Sequence, residues 1–89
     1  MLNYQFIISG KVQGVWYRKT VSQNAKKKGF SGYVKNLADG RVEAGAYLKD
    51  DEFALFILIL EKGSSTSRVD NIEQFEANEE FSGEFTIRD

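Results

Sequence analysis

The sequence contains no cysteine, no histidine and no proline. Without cysteine it forms no disulfide and offers no thiolate nucleophile. Without histidine as well, Ser-His-Asp and Cys-His catalytic arrangements are excluded, together with zinc sites built on those ligands. Any chemistry falls to Arg, Lys, Asn, Gln, Ser, Thr, Tyr, Asp, Glu, backbone amides or water. No compact carboxylate set stands out, so neither a metal nor another cofactor is expected.

A dominant charge is missing too. Twelve Lys and Arg against 13 Asp and Glu leave a formal net charge of −1, which gives no global attraction to nucleic acid. Residues 1–5 lack the basic and apolar segments of a secretory signal. The longest apolar run, Phe53 to Leu60, is too short to span a bilayer. The expectation is a cytoplasmic chain that engages neither membrane nor nucleic acid. Its 89 residues are expected to form one domain (1–89), near the lower size at which a single core holds unaided.

What is present alternates clearly. Tyr4, Phe6 and Ile8 interleave with Gln5, Ile7 and Ser9 up to Gly10, which predicts a strand buried mainly on one face. Tyr17, Val21 and Ala25 recur at helical spacing. Lysines follow at the C-terminal end of that helix, and Gly29 is placed as its cap. Tyr33 to Leu37 and Arg41 to Leu48 flank Asp39-Gly40, a strong hairpin signal if both residues adopt positive φ. Asp50 or Asp51 is the expected cap of a second helix running to Lys62, with Gly63 beyond it. That helix carries a core stripe of Phe53, Phe56, Ile57 and Leu60. Ser64 to Ser67 reads as a polar loop, Val69 to Glu76 as a weaker strand, and Phe85 to Arg88 as a short final one. The order β-α-β-β-α-β predicts an α+β, ferredoxin-like two-layer sandwich: an antiparallel sheet, two helices on one face, and a short extra C-terminal strand.

The stretch Gly10-Lys-Val-Gln-Gly-Val-Trp-Tyr-Arg18 carries the functional signal. It joins the first strand to the first helix with two glycines and delivers an arginine in the first turn. Unpaired N–H groups at such a turn and helix start can hold an anion, with a guanidinium beside them. Neither the Walker A spacing nor Gly-x-Gly-x-x-Gly is present.

This stretch, with Ala25, Gly29, Gly32-Tyr-Val-Lys-Asn-Leu37 and Asp39-Gly-Arg-Val-Glu43, resembles the acylphosphatase family. The resemblance is close from Gly10 to Ala44 and looser at Ser67-Arg-Val69 and Phe85-Thr-Ile-Arg88. It implies hydrolysis of acyl phosphates to a carboxylate and inorganic phosphate. It places Arg18 as the substrate-binding arginine and Asn36 as the residue that orients the attacking water. The backbone amides of Gln13, Gly14, Val15, Trp16, Tyr17 and Arg18 would form the phosphate cradle. These residue types suit the reaction. An arginine fork binds two oxygens and stays charged, and an asparagine amide orients water without adding charge. Where the family often has glycine before the second helix, this chain has Tyr47-Leu-Lys49. Gln74 falls among apolar strand positions, and the chain ends at Asp89 where an aromatic residue is common.

Blander readings compete at each position. Arg18 alone suits a surface ion pair, and Asn36 a strand end. The Gln13 side chain can contact substrate or brace the loop. Tyr17, in phase with Val21, is assigned to the core and Trp16 to the pocket rim. Lys11, Lys35 and Arg41 either add positive field or only solubilise. The apolar remainder of the second helix either packs or self-associates, and a monomer is the favoured expectation. An RNA-binding module shares the fold order, but Lys28-Gly-Phe-Ser31 lies on the wrong element and fails at Gly32. The alternative to an enzyme is a catalytically silent domain that binds an anion or a protein.

Overall fold

The computed structural model describes residues 2–88. The elements are β1 (Leu2–Lys11), α1 (Tyr17–Lys27), β2 (Ser31–Asn36), β3 (Val42–Leu48), a 3₁₀ turn (Asp50–Glu52), α2 (Phe53–Lys62), β4 (Arg68–Glu76) and β5 (Thr86–Arg88). They build one five-stranded sheet of order β4-β1-β3-β2-β5. The alternation seen in the sequence sets its faces: Phe6 and Ile8 of β1, Val34 of β2, and Val42, Ala44, Ala46 and Leu48 of β3 are buried in one core. Phe56, Ile59 and Leu60 of α2 and Tyr17, Val21 and Ala25 of α1 close that core from above. The large interior side chains come from strands and helices alike, as a two-layer sandwich requires.

Four features depart from the sequence expectation. The sheet is mixed, because β5 runs parallel to β2 while the other pairs are antiparallel. The chain leaves β4 at one edge and reaches β2 at the other. On the way Phe81 packs on the Tyr33 ring (centroids 5.4 Å apart), and then Phe85 is buried against Phe56. In the β2–β3 hairpin only Gly40 takes positive φ (95°), not Asp39. The Leu37 amide donates to the Arg41 carbonyl, so the loop is the three-residue form with glycine in the left-handed position.

Neither Asp50 nor Asp51 caps the second helix. Lys49 precedes the 3₁₀ turn in extended conformation (φ −76°, ψ 161°), and Glu52 Oε1 accepts from its amide at 2.9 Å. That backbone is open to any residue, so a glycine there is unnecessary. Finally, the buried stripe of α2 includes Ile59, with Ile57 only partly covered. A helix that packs on the sheet through Phe56 against Phe6 and lies beside α1 buries two flanks instead of one. Leu55 is also packed against the core, and Leu58 stays half-exposed. Gln74 is exposed on the edge strand, paired in register with Phe6, where a polar residue blunts an edge rather than disrupting a core. The expectation for Asp89 lies outside the described residues. Among the described residues no helix is long and apolar enough to cross a membrane.

Candidate active site

The turn between β1 and α1 is held from below by its own side chains. Val12, Val15 and Tyr17 are buried, and the Tyr17 hydroxyl donates to the Leu60 carbonyl at 2.7 Å. Burial pushes the Tyr17 phenol well above its ordinary range. The Val15 carbonyl accepts from the Ser64 and Thr66 hydroxyls, so the polar 64–67 loop is a second anchor. Gln13 Nε2 donates to the carbonyls of Leu37 and Arg41 at 2.7 and 2.9 Å. The Gln13 side chain is therefore a brace between this turn and the hairpin.

With the carbonyls and side chains so engaged, the amides are left over. Among the described residues, no backbone carbonyl accepts from the N–H groups of residues 13–18. Gly14 (φ 72°) and Trp16 (φ 65°) both adopt left-handed backbone, and alternation with such residues turns successive N–H groups toward a common concavity. α1 starts at Tyr17, so the positive end of its dipole adds to the same place.

A cavity of about 490 Å³ opens beside the turn. Gly14, Arg18 and Asn36 contribute its polar wall, Val12, Trp16, Tyr17 and Ile87 its apolar wall, and Lys19 a second cation. Arg18, in the first turn of α1, is half-buried. Its Nη1 donates to the Arg88 carbonyl at 3.3 Å, and no carboxylate pairs with it among the described residues. One of its five donors is thus spent on orientation, leaving the rest of the fork for an anion. Asn36 ends β2. Its Oδ1 is buried, and no donor among the described residues reaches it, a costly state for an amide carbonyl in a fold that satisfies its polar groups elsewhere.

The sequence-derived pair is therefore brought to one cavity. Lys35 and Arg41 are not: Lys35 pairs with Glu43 (3.7 Å), and Arg41 with Asp39 (2.8 Å) and Glu73 (3.8 Å). Lys11 is exposed and does not line the cavity. The basic residue that does is Lys19, which follows Arg18 in the first turn of α1. Ile87 was also missed. Its place depends on β5 pairing with β2, which register alone discloses: Ile87 lies opposite Val34. Among the described residues no three Asp or Glu side chains gather as a metal site.

The two-layer α+β sandwich thus brings an amide-rich turn to one cavity with an arginine and an asparagine that, among the described residues, have no carboxylate and no donor to Oδ1, an arrangement suited to an anion. The acylphosphatase family model matches residues 4–87. The chain is 48% identical over 63 residues to an acylphosphatase of Legionella pneumophila (strain Corby), covering 71% of this chain and 69% of that protein. It is 40% identical over 86 residues to one from Borrelia garinii subsp. bavariensis, covering 96% and 92%. Its fold superposes on the crystal structure of acylphosphatase from Bacillus subtilis with a TM-score of 0.89 at 37% identity, over 99% of both chains. The chain belongs to the acylphosphatase family.

Proposed function

We propose that this protein hydrolyses acyl phosphates, with the phosphoryl group held by the 13–18 amides and Arg18 and the attacking water oriented by Asn36. One observation carries this reading: Asn36 and Arg18 line the same cavity, and among the described residues no donor reaches Asn36 Oδ1 and no carboxylate pairs with Arg18. The Asn36 amide carries an acceptor and two donors on one rigid group, which is what fixing the orientation of a water requires.

In the proposed reaction the water oxygen bonds to phosphorus as the bond from phosphorus to the bridging acyl oxygen breaks. The electron pair leaves with the carboxylate, and both water protons end on the phosphate oxygens, giving dihydrogen phosphate. The substrate's own phosphate oxygen is the proton acceptor, since asparagine is a poor base. The leaving group is already good, so positioning and charge neutralisation supply the catalysis. Loop amides and guanidinium are fixed before substrate arrives, by Gln13, Ser64, Thr66 and the Arg88 carbonyl. That fixed arrangement is where electrostatic catalysis gains most. The same reading takes the chain as a monomer, since Leu58 is the single large apolar side chain that α2 leaves exposed. Sedimentation checks this.

The test is hydrolysis of acetyl and benzoyl phosphate in the presence of a chelator, with wild type, Arg18→Ala and Asn36→Ala. Each substitution is expected to lower kcat by about 10²–10³-fold, and Arg18→Ala also to weaken inhibition by phosphate. A folded wild type that binds phosphate but turns over neither substrate would mark a silent anion-binding domain instead.

A further inference from the structure

The proposed chemistry accounts for the polar wall of the cavity but not for its apolar one. Among the described residues five large hydrophobic side chains are exposed: Leu2, Trp16, Leu58, Phe75 and Ile87. Single exposed apolar residues are ordinary. Two of these five, Trp16 (72% exposed) and Ile87 (46%), nevertheless line the one cavity that holds Arg18 and Asn36. They arrive from unrelated parts of the chain, one from the turn before α1 and one from the last strand. Their meeting is a product of the fold.

Trp16 is also in an expensive conformation. It is the one non-glycine residue with positive φ among the described residues, at φ 65° and ψ 16°. Left-handed backbone is uncommon for a bulky side chain. An exposed indole returns little burial in exchange. The Lys19 ammonium lies 5.5 Å from the indole centroid, a cation–π distance that steadies the ring beside α1. Ile87, opposite Val34 in the parallel β2–β5 pair, presents an aliphatic surface to the same opening.

A substrate whose phosphoryl group sits on the 13–18 amides must extend its acyl group over this mouth. Acetyl would leave the indole and the isoleucine wet. A cavity of about 490 Å³ is also far larger than acetyl phosphate needs, and apolar walls with few polar groups are what organic ligands bind. We propose that Trp16 and Ile87 form an acyl subsite, and that this chain favours acyl phosphates with a bulky apolar or aromatic acyl group. The proposal rests on the hydrolase reading above and deepens it by naming the substrate class.

Two measurements test it, one of them independent of turnover. In the first, the ratio of kcat/KM for benzoyl over acetyl phosphate is compared in wild type, Trp16→Ala, Trp16→Phe and Ile87→Ala, each checked for folding by circular dichroism. The wild-type ratio is expected to be about tenfold or more. It should collapse toward one in Trp16→Ala, fall in Ile87→Ala, and recover in part in Trp16→Phe. In the second, Trp16 is the reporter, because the chain has a single tryptophan. Cyclohexylmethylphosphonate is expected to bind about tenfold more tightly than methylphosphonate and to shift the emission to shorter wavelength. If wild type turns over neither substrate while the phosphonates still differ in this way, the hydrolase reading falls and the apolar subsite stands. A ratio unmoved by both alanine variants, or two phosphonates that bind alike, overturns the subsite.

Discussion

Gln13 is bonded to Leu37: its Nε2 donates at 2.7 Å to the carbonyl of the residue that follows Asn36. A second bond from the same nitrogen reaches the Arg41 carbonyl across the hairpin loop. Through one side chain the turn that leads into Arg18 is tied to the strand end that carries Asn36. The two site residues belong to different elements, and their spacing is set at this joint.

Gln13→Ala is therefore expected to act by misplacement. The Leu37 and Arg41 carbonyls lose the side-chain donor but keep backbone ones, from the Gly40 and Leu37 amides, so the cost in urea denaturation is about 0.5–1.5 kcal/mol. The attack geometry loosens, and kcat falls by about 10–100-fold. Inhibition by phosphate should weaken much less, because the amides and Arg18 remain. Equal losses in kcat and in phosphate affinity would show that the side chain touches the anion directly.

Asn36 makes the opposite prediction for stability. Its unsatisfied, buried Oδ1 destabilises the folded state, so Asn36→Leu is expected to stabilise the protein by about 1 kcal/mol while abolishing most turnover. Urea midpoints and acyl phosphate hydrolysis on the same samples decide it. A large loss of stability would mean that the amide is structurally engaged.

The two residues proposed for the site each stand in a short motif whose backbone has a local cause. The glycines and apolar residues of the turn, and the Asp39-Gly40 hairpin, are dictated by neighbours in the chain. Arg18 and Asn36 came from resemblance to a family, and the fold then put them on one cavity. What local sequence does not hold is where distant pieces meet. Ile87 enters the site because β5 docks parallel to β2, a pairing fixed by Phe81 and Phe85 finding their places on Tyr33 and Phe56. Ile59 is buried because α2 packs against both the sheet and α1. Lys49 starts the helix through the Glu52 carboxylate, a bond formed by a residue three places on. Each is a tertiary decision or a side-chain choice among near-equal local alternatives.

The face of the sheet away from the helices makes a prediction in pH. The buried Tyr33 hydroxyl receives a bond from Gln5 Nε2 at 3.1 Å and donates to Glu43. Burial first, and then the Glu43 carboxylate, push its pKa up to about 12. In the unfolded chain an ordinary tyrosine ionises near about 10, so between the two values the folded state binds the proton that the unfolded state releases. Stability is full below pH about 10 and falls as pH rises toward about 12. Tyr33→Phe is expected to flatten that decline while leaving hydrolysis unchanged. Urea denaturation at stepped alkaline pH would expose the error if both proteins lost stability with the same slope.

Trp16 allows its strain to be separated from its contacts. Trp16→Ala and Trp16→Gly both delete the indole and the cation–π interaction with Lys19. Only glycine also removes the cost of a Cβ at φ 65°, about 1–2 kcal/mol, offset in part by its greater freedom in the unfolded chain. Trp16→Gly should then be more stable than Trp16→Ala by about 1 kcal/mol, with the same loss of preference for bulky acyl groups. Urea midpoints compare the two variants directly. Equal stabilities would mean that the turn relaxes when the indole is gone. The left-handed backbone would then be a consequence of the Trp16 side chain and not a demand of the turn proposed to bind phosphate.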